Sequence, residues 1–235
     1  MMTRKDELAA NLEGLRKDVR AAERSAGRED GSVAILPVTK FHPASDVALL
    51  AELGIATVGE NREQEAKQKA AELPNMRFAM IGQIQTKKAN SVARWASEVH
   101  SLDSVKLARA LDSGVALALE RGDRTSDQLP CLIQLSFDED ENRGGVRESD
   151  LAELVAEAEQ LEHVLVDGFM VVPPIDADPA RVFEASRSIA DDYAGRLGRP
   201  MLLSAGMSHD FEQAITCGSD IVRVGTRLLG QRPVG

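Results

Sequence analysis

The sequence predicts a single-domain (β/α)₈ TIM barrel spanning residues 1–235, with one additional helix at its N-terminus. Three observations lead there. Eight short apolar runs each precede a stretch or turn of different character, seven of them with apolar residues at helical spacing. The runs are apolar throughout rather than alternating, so both faces must be covered, the condition of a parallel sheet. The length of 235 residues is one at which alternating strands and helices close into one barrel.

Leu8, Leu12, Leu15, Val19 and Ala22 recur at steps of four and three, one face of an amphipathic helix opening near Thr3 and closing at Gly27. This helix is extra to the barrel and is expected to plug or flank its bottom. Residues 33–39 form the first strand, ending at Lys40, and Pro43 suits the first turn of a helix carrying Val47, Leu50 and Leu53 before Gly54. Further strands follow at 55–59, 77–82, 98–102, 131–136, 164–172, 201–204 and 221–225. Helices are expected at 61–73 and 85–96. The next, capped by Asp103 or Ser104, carries Leu107, Leu111 and Val115. Asp150 and Glu153 read as a capping box for a helix reaching residue 161. The last two helices span 179–197 and 209–217, and a short tail ends the chain. The polar stretches 121–128 and 138–147 read as solvated loops.

Composition excludes several function classes. With 38 acidic against 28 basic residues the net charge is −10, which disfavours nucleic acid and anionic membrane surfaces. Cys131 and Cys217 sit in apolar patterns without metal-ligand spacing and read as reduced core thiols. The charged N-terminus does not resemble a signal peptide, and no apolar run approaches the length of a membrane span. A cytoplasmic protein is expected.

In this architecture working groups lie where strands end. The strand ends here are Lys40, Glu60-Asn61, Gly82-Gln83, His100-Ser101, Ser136, Pro173-Pro174, Ser204 and Arg223-Val224-Gly225. Lys40 stands out among eight lysines, because the other seven fall on expected helices or in the Thr86-Lys87-Lys88 loop. A partly desolvated strand-end amine has a lowered pKa and can attack an aldehyde. Alternatively, Lys40 simply reaches solvent. Strands seven and eight end in Ser204-Ala205-Gly206-Met207-Ser208 and Arg223-Val224-Gly225-Thr226. Such glycines and hydroxyls can cradle a phosphate, with Ser208 read as the cap of the next helix; otherwise they are ordinary caps and turns. Arg223, one alternation before Gly225, should face the barrel interior, where the ring nitrogen of a pyridine cofactor would serve as its acceptor. An aldehyde-reactive lysine, a phosphate cup and a ring-facing arginine together describe a site for pyridoxal 5′-phosphate (PLP).

Seven stretches match a known family in order and spacing. They are Val38-Thr39-Lys40, Gly59-Glu60-Asn61, Ile81-Gly82-x-Ile84-Gln85-Thr86, His100-Ser101-x-Asp103-Ser104, Gly168-Phe169-Met170 with Pro173-Pro174, Gly206-Met207-Ser208-x-Asp210, and Val222-Arg223-Val224-Gly225-Thr226 with Gly230-x-Arg232. Over almost its whole length the chain resembles the pyridoxal phosphate homeostasis proteins. The resemblance implies a barrel like the N-terminal domain of alanine racemases and an aldimine (Schiff base) between PLP and Lys40. It also implies Arg223 at the pyridine nitrogen, Ser204, Gly225 and Thr226 at the phosphate, and Asn61 and Met207 lining the cofactor. Gln83, Lys87, Ser136, Arg143 and Ala205 depart from the family pattern, which bears on contacts outside the cofactor itself.

Two functions of different class follow. One is a monomeric carrier that buffers PLP, yields it to apoenzymes and so affects vitamin B6 and amino-acid balance. The other is a racemase-like enzyme acting on amino acids. Racemisation needs a second acid or base on the opposite face of the substrate. Tyr193, the one tyrosine, falls on an outer helix, and His100 is the other candidate. An arginine at the ring nitrogen also weakens the electron sink. The balance favours the carrier. A barrel for another phosphorylated metabolite would leave Lys40 idle.

Overall fold

The structure, a computed structural model, describes residues 2–138 and 144–231. Arg143 and Arg232 lie outside the described residues, as does the middle of the 138–147 stretch. In chain order the elements are α1 (Arg4–Ser25), β1 (Ala34–Pro37), α2 (Ala44–Glu52), β2 (Thr57–Glu60), α3 (Glu63–Glu72) and β3 (Arg77–Met80). A 3₁₀ turn (Thr86–Lys88) leads into α4 (Ala89–Trp95), then β4 (Ala96–Leu102), α5 (Val105–Glu120), β5 (Leu129–Leu135), α6 (Glu148–Ala158) and β6 (Val164–Val171). The chain continues through α7 (Pro179–Leu197), β7 (Leu202–Ser204), α8 (Phe211–Thr216), β8 (Ile221–Val224) and α9 (Thr226–Leu229).

The eight strands form one parallel sheet in the order β1-β8-β7-β6-β5-β4-β3-β2. The ring closes through a single parallel bridge, Val38 with Gly59, where the Thr39 N–H donates to the Gly59 carbonyl at 3.0 Å. The eight parallel strands therefore close into the barrel expected from the sequence, and its seam lies immediately before Lys40.

Helix α1 flanks the barrel. Thr3 and Asp6 form a capping box at its start, and Leu8, Leu12, Leu15 and Val19 join Val222 and Val224 of β8 in one apolar cluster. Asn11 donates to the Leu228 carbonyl at 3.0 Å, and Arg28 donates to the Ser219 carbonyl at 2.5 Å. The helix thus runs from the C-terminal end of β8 back to its start. It occupies the layer that the four-residue α9 is too short to fill. Leu12 is 2% exposed, and truncating such a leucine to alanine costs about 2–5 kcal/mol.

Three local expectations are corrected. α6 opens at Arg147, not Asp150, because Val146 pairs with Leu135 and the chain leaves the sheet at Arg147. Asp150 lies inside the first turn, its N–H donating to the Arg147 carbonyl. Ser208 does not cap α8. Asp210 occupies that position, and its carboxylate reaches back to accept from the Met207 N–H at 2.6 Å. Residues 85–96 are only partly α-helical, since the 3₁₀ turn takes the start and Ala96 already belongs to β4. Cys131 is buried and Cys217 half-buried, both free thiols, and burial pushes the Cys131 thiol up to about 12. Among the described residues no helix is long and apolar enough to cross a membrane.

Candidate functional site

A cavity of about 370 Å³ opens at the C-terminal ends of the strands. Lys40, Asn61, Arg223 and Thr226 supply much of its polar lining, with Ser208 and His209 at the β7 side. Val38, Ile81, Met170, Val172 and Met207 form apolar walls, and Gly225 completes the β8 side. Six of the seven residues expected from the sequence therefore meet in one cavity. The walls other than Met207, and His209, were not expected, because strand-end valines and methionines look the same in sequence whether they face the mouth or the core.

Ser204, the seventh, is fully buried and does not line the cavity. Its hydroxyl and its carbonyl both accept from Nη1 of Arg223, at 2.9 and 2.7 Å. Arg223 also donates through Nη2 to the Val171 carbonyl at 2.8 Å. These bonds occupy three of the five N–H donors of a guanidinium, leaving two on a side chain that lines the cavity. Arg223 is 4% exposed. Desolvation draws its pKa down to about 10, against the opposing charge of Asp210. It remains a cation at neutral pH, aimed across the barrel interior as the alternation of β8 requires.

Glycine is demanded at two positions around this mouth. Gly206 has φ +87, and a Cβ there would meet the Ala214 methyl at 2.6 Å. Its carbonyl accepts from the Arg223 N–H at 3.0 Å, tying the β7 end to β8. At Gly82 a Cβ would fall 2.1 Å from the Asn61 carbonyl oxygen, so the third strand's end presses directly on the backbone of a cavity residue.

Lys40 is half-buried, and the next residue, Phe41, has φ 68, the one non-glycine at positive φ among the described residues. Such a backbone costs of order 1–3 kcal/mol and persists only where its surroundings hold it. Here the Phe41 N–H donates to Glu65 Oε1 at 2.7 Å, and the Arg62 guanidinium lies 4.6 Å from the Phe41 ring centroid. Behind the lysine, Glu60 is fully buried and accepts from the Thr39 hydroxyl at 2.5 Å and from Lys69 at 2.6 Å. Burial raises the Glu60 pKa, partly offset by its bonds to Lys69 and Thr39.

The other candidates lie elsewhere. His100 is 1% exposed, with Nε2 3.8 Å from Glu98 Oε1, and does not line the cavity. Tyr193 sits on α7, its ring 5.5 Å from that of Phe169 in the outer core. Gln83 and Lys87 are exposed, Ala205 is fully buried, and none of the three lines the cavity. Ser136 belongs to a second cavity of about 360 Å³, where Asp103, Asp138, Asp150 and Glu153 gather. Arg147 is the one cation among the described residues of that lining, so four carboxylates outnumber it and disfavour an anionic ligand there. The Lys40 cavity, with two cationic side chains, hydroxyls and apolar walls, fits a phosphorylated aromatic aldehyde.

Comparison with known proteins identifies the family and the fold. The family described as alanine racemase, N-terminal domain, matches residues 10–233. A pyridoxal phosphate homeostasis protein of Corynebacterium glutamicum is 55% identical over 207 residues, covering 88% of this chain and 94% of the relative. The structure of PipY from Synechococcus elongatus PCC7942 with PLP bound superposes with a TM-score of 0.80 at 29% identity, over 95% of this chain and all of the other. Alanine racemase from Corynebacterium glutamicum shares the fold, with a TM-score of 0.67 at 16% identity. There the match covers 98% of this chain but 62% of the racemase.

Proposed function

This chain belongs to the pyridoxal phosphate homeostasis protein family, and from that premise we propose that it binds PLP in the Lys40 cavity, as one cofactor-binding unit, and acts as a carrier of the cofactor. The observation that carries the reading is the meeting of Lys40, Arg223 and Thr226 in one partly apolar cavity. In this reading the Lys40 amine, once deprotonated, holds the cofactor's aldehyde carbon in a Schiff-base linkage with release of water. Arg223 faces the ring nitrogen with its remaining donors. Gly225 and Thr226 meet the phosphate, with Asn61 and Met207 against the ring. Ser204 acts on the cofactor through Arg223. Bound PLP supplies an electrophilic aldehyde and a conjugated ring.

The carrier reading is favoured over a racemase-like enzyme by what surrounds the cavity. A two-base reaction needs proton donors on both faces of the bound amino acid. Tyr193 is out on α7 and His100 is enclosed near Glu98, so neither can serve, and His209 on the β7 side of the cavity is the one acid/base left among the described lining residues besides Lys40. Arg223 at the ring nitrogen keeps that nitrogen unprotonated and limits Cα chemistry. Holding and releasing an aldehyde needs only the lysine and an open mouth. The acceptors of the released cofactor are PLP-dependent apoenzymes, the carrier itself acting as a monomer in the cytoplasm.

The test is chemical labelling. The purified protein incubated with PLP should acquire visible absorbance, and borohydride should fix the cofactor on the peptide containing Lys40. Lys40→Ala should lose both. Label found on Lys87 or Lys88 instead would overturn the assignment.

A further inference from the structure

The sequence pattern presents Lys69 as one more lysine on the exposed side of a helix, yet it is 5% exposed. Its ammonium reaches three acceptors, the Thr39 carbonyl at 2.8 Å, Glu60 Oε1 at 2.6 Å and Glu65 Oε1 at 2.7 Å. An ammonium has three donors, so every one is engaged. The same two carboxylate oxygens accept a second bond each. Glu60 takes the Thr39 hydroxyl, and Glu65 takes the Phe41 N–H. Lys69 thus grips residue 39 through its carbonyl and its hydroxyl's acceptor, and residue 41 through its amide's acceptor. Lys40 is the residue between. Lys69 itself stays outside the cavity lining, so its influence on the cavity passes through the turn it holds.

We propose that Lys69, with Glu60 and Glu65, is the positioning device of Lys40: it locks both flanking residues, including the left-handed Phe41, and so sets the direction from which the Lys40 amine enters the cavity. The inference rests on the Lys40 cavity as the PLP site. A buried ion pair that served only stability could end on any part of the core; this one ends on the two neighbours of a single residue. Without the ammonium, Glu60 and Glu65 lose the group that joins them, and the strained turn relaxes toward ordinary backbone.

The test uses the full chain and PLP as the probe, quenching with borohydride at successive times and locating the label by peptide mass. Lys69→Met should slow labelling of Lys40 by about tenfold or more, because small misplacements of a reacting group cost large factors in rate. Glu65→Gln, at a half-exposed position, should slow it in the same direction and serves if Lys69→Met fails to fold. Glu23→Gln is the control for mere stability. Glu23 is likewise fully buried, but it accepts from the Gly31 and Val33 N–H groups at the opposite end of β1. It should leave the rate within about twofold, as expected for a distant, independent site. Wild-type labelling rates in both Lys69→Met and Glu65→Gln would overturn the proposal, and so would equal slowing by Glu23→Gln. A second readout, acylation of Lys40 in the cofactor-free protein by a small neutral activated ester, which transfers its acyl group to the amine and expels its alcohol, should show the same ranking. If PLP fails to label wild-type Lys40 while the acylation ranking holds, the cofactor assignment falls and the clamp stands.

Discussion

Arg223 and Ser204 are joined twice through one nitrogen: Nη1 of Arg223 donates to the carbonyl and the hydroxyl of Ser204, at 2.7 and 2.9 Å. The serine therefore supports the arginine from behind. Ser204→Ala should weaken binding of PLP and of unphosphorylated pyridoxal by similar factors, since the loss is transmitted through the ring side. Titrating both ligands against the variant checks this. Weakening confined to the phosphorylated ligand would instead put Ser204 at the phosphate.

Thr226 should behave in the opposite way. It lines the cavity just after Gly225, which follows β8, and a hydrogen bond to a charged acceptor is worth about 1.5–3 kcal/mol. Thr226→Val should weaken PLP by about tenfold or more on that scale and barely change pyridoxal. Paired dissociation constants decide it.

Gly82→Ala should damage both stability and the site. The added methyl lands 2.1 Å from the Asn61 carbonyl oxygen, and forced overpacking typically costs about 1–3 kcal/mol. Asn61 must move, so PLP affinity should fall with the melting temperature. Gly14→Ala on α1 is the contrast, because its Cβ meets nothing within 4 Å and alanine favours the helix by about 1 kcal/mol.

His42 should make stability fall on mild acidification. Desolvation lowers its pKa, with Arg4 and Lys69 in the same direction and Asp46 opposing. Its Nδ1 lies 3.5 Å from Asp46 Oδ2 and has no hydrogen-bond partner. A lowered folded-state pKa means that unfolding takes up a proton between that value and about 6.5. Its stabilising contribution is whole above that window and is lost as pH falls through it. The melting temperature of His42→Gln should therefore depend less on pH between about 7 and 5 than that of the wild type. Parallel curves would refute this.

The carrier reading predicts little turnover. Incubation with each L-amino acid in deuterated water, followed by NMR, should show no robust Cα exchange dependent on Lys40. The loaded protein should nonetheless activate a PLP-dependent apoenzyme. Strong exchange abolished by Lys40→Ala would reveal an enzyme.

Much of the fold is legible in the sequence. Apolar runs mark the strands because both faces of a parallel sheet are covered. α7 begins and ends as expected because Asp178-Pro179 and Gly198 punctuate it. Arg223 could be placed inward by alternation alone. Lys69 could not be found that way, since Glu65 and Lys69 four apart also describe a solvent-facing helix pair. The bond from Arg223 to Ser204 is not legible in the sequence, because a strand-end hydroxyl says nothing of which neighbour it meets. The Asp150 capping box failed because pairing of Val146 with Leu135 is a tertiary fact.

The barrel's ring is complete, but unevenly so. β5 and β6 share a ladder running from Leu129 to Leu135, whereas β1 and β2 meet at the lone bridge of Val38 and Gly59. Local opening is cheapest where backbone pairing is sparsest. The β1–β2 seam beside Lys40 and the single-pair β7–β8 junction are therefore where the ring should open before the β5–β6 side does. Beyond that lone bridge the β1–β2 seam is closed by side-chain chemistry enclosed in the barrel, the Thr39 hydroxyl on the Glu60 carboxylate.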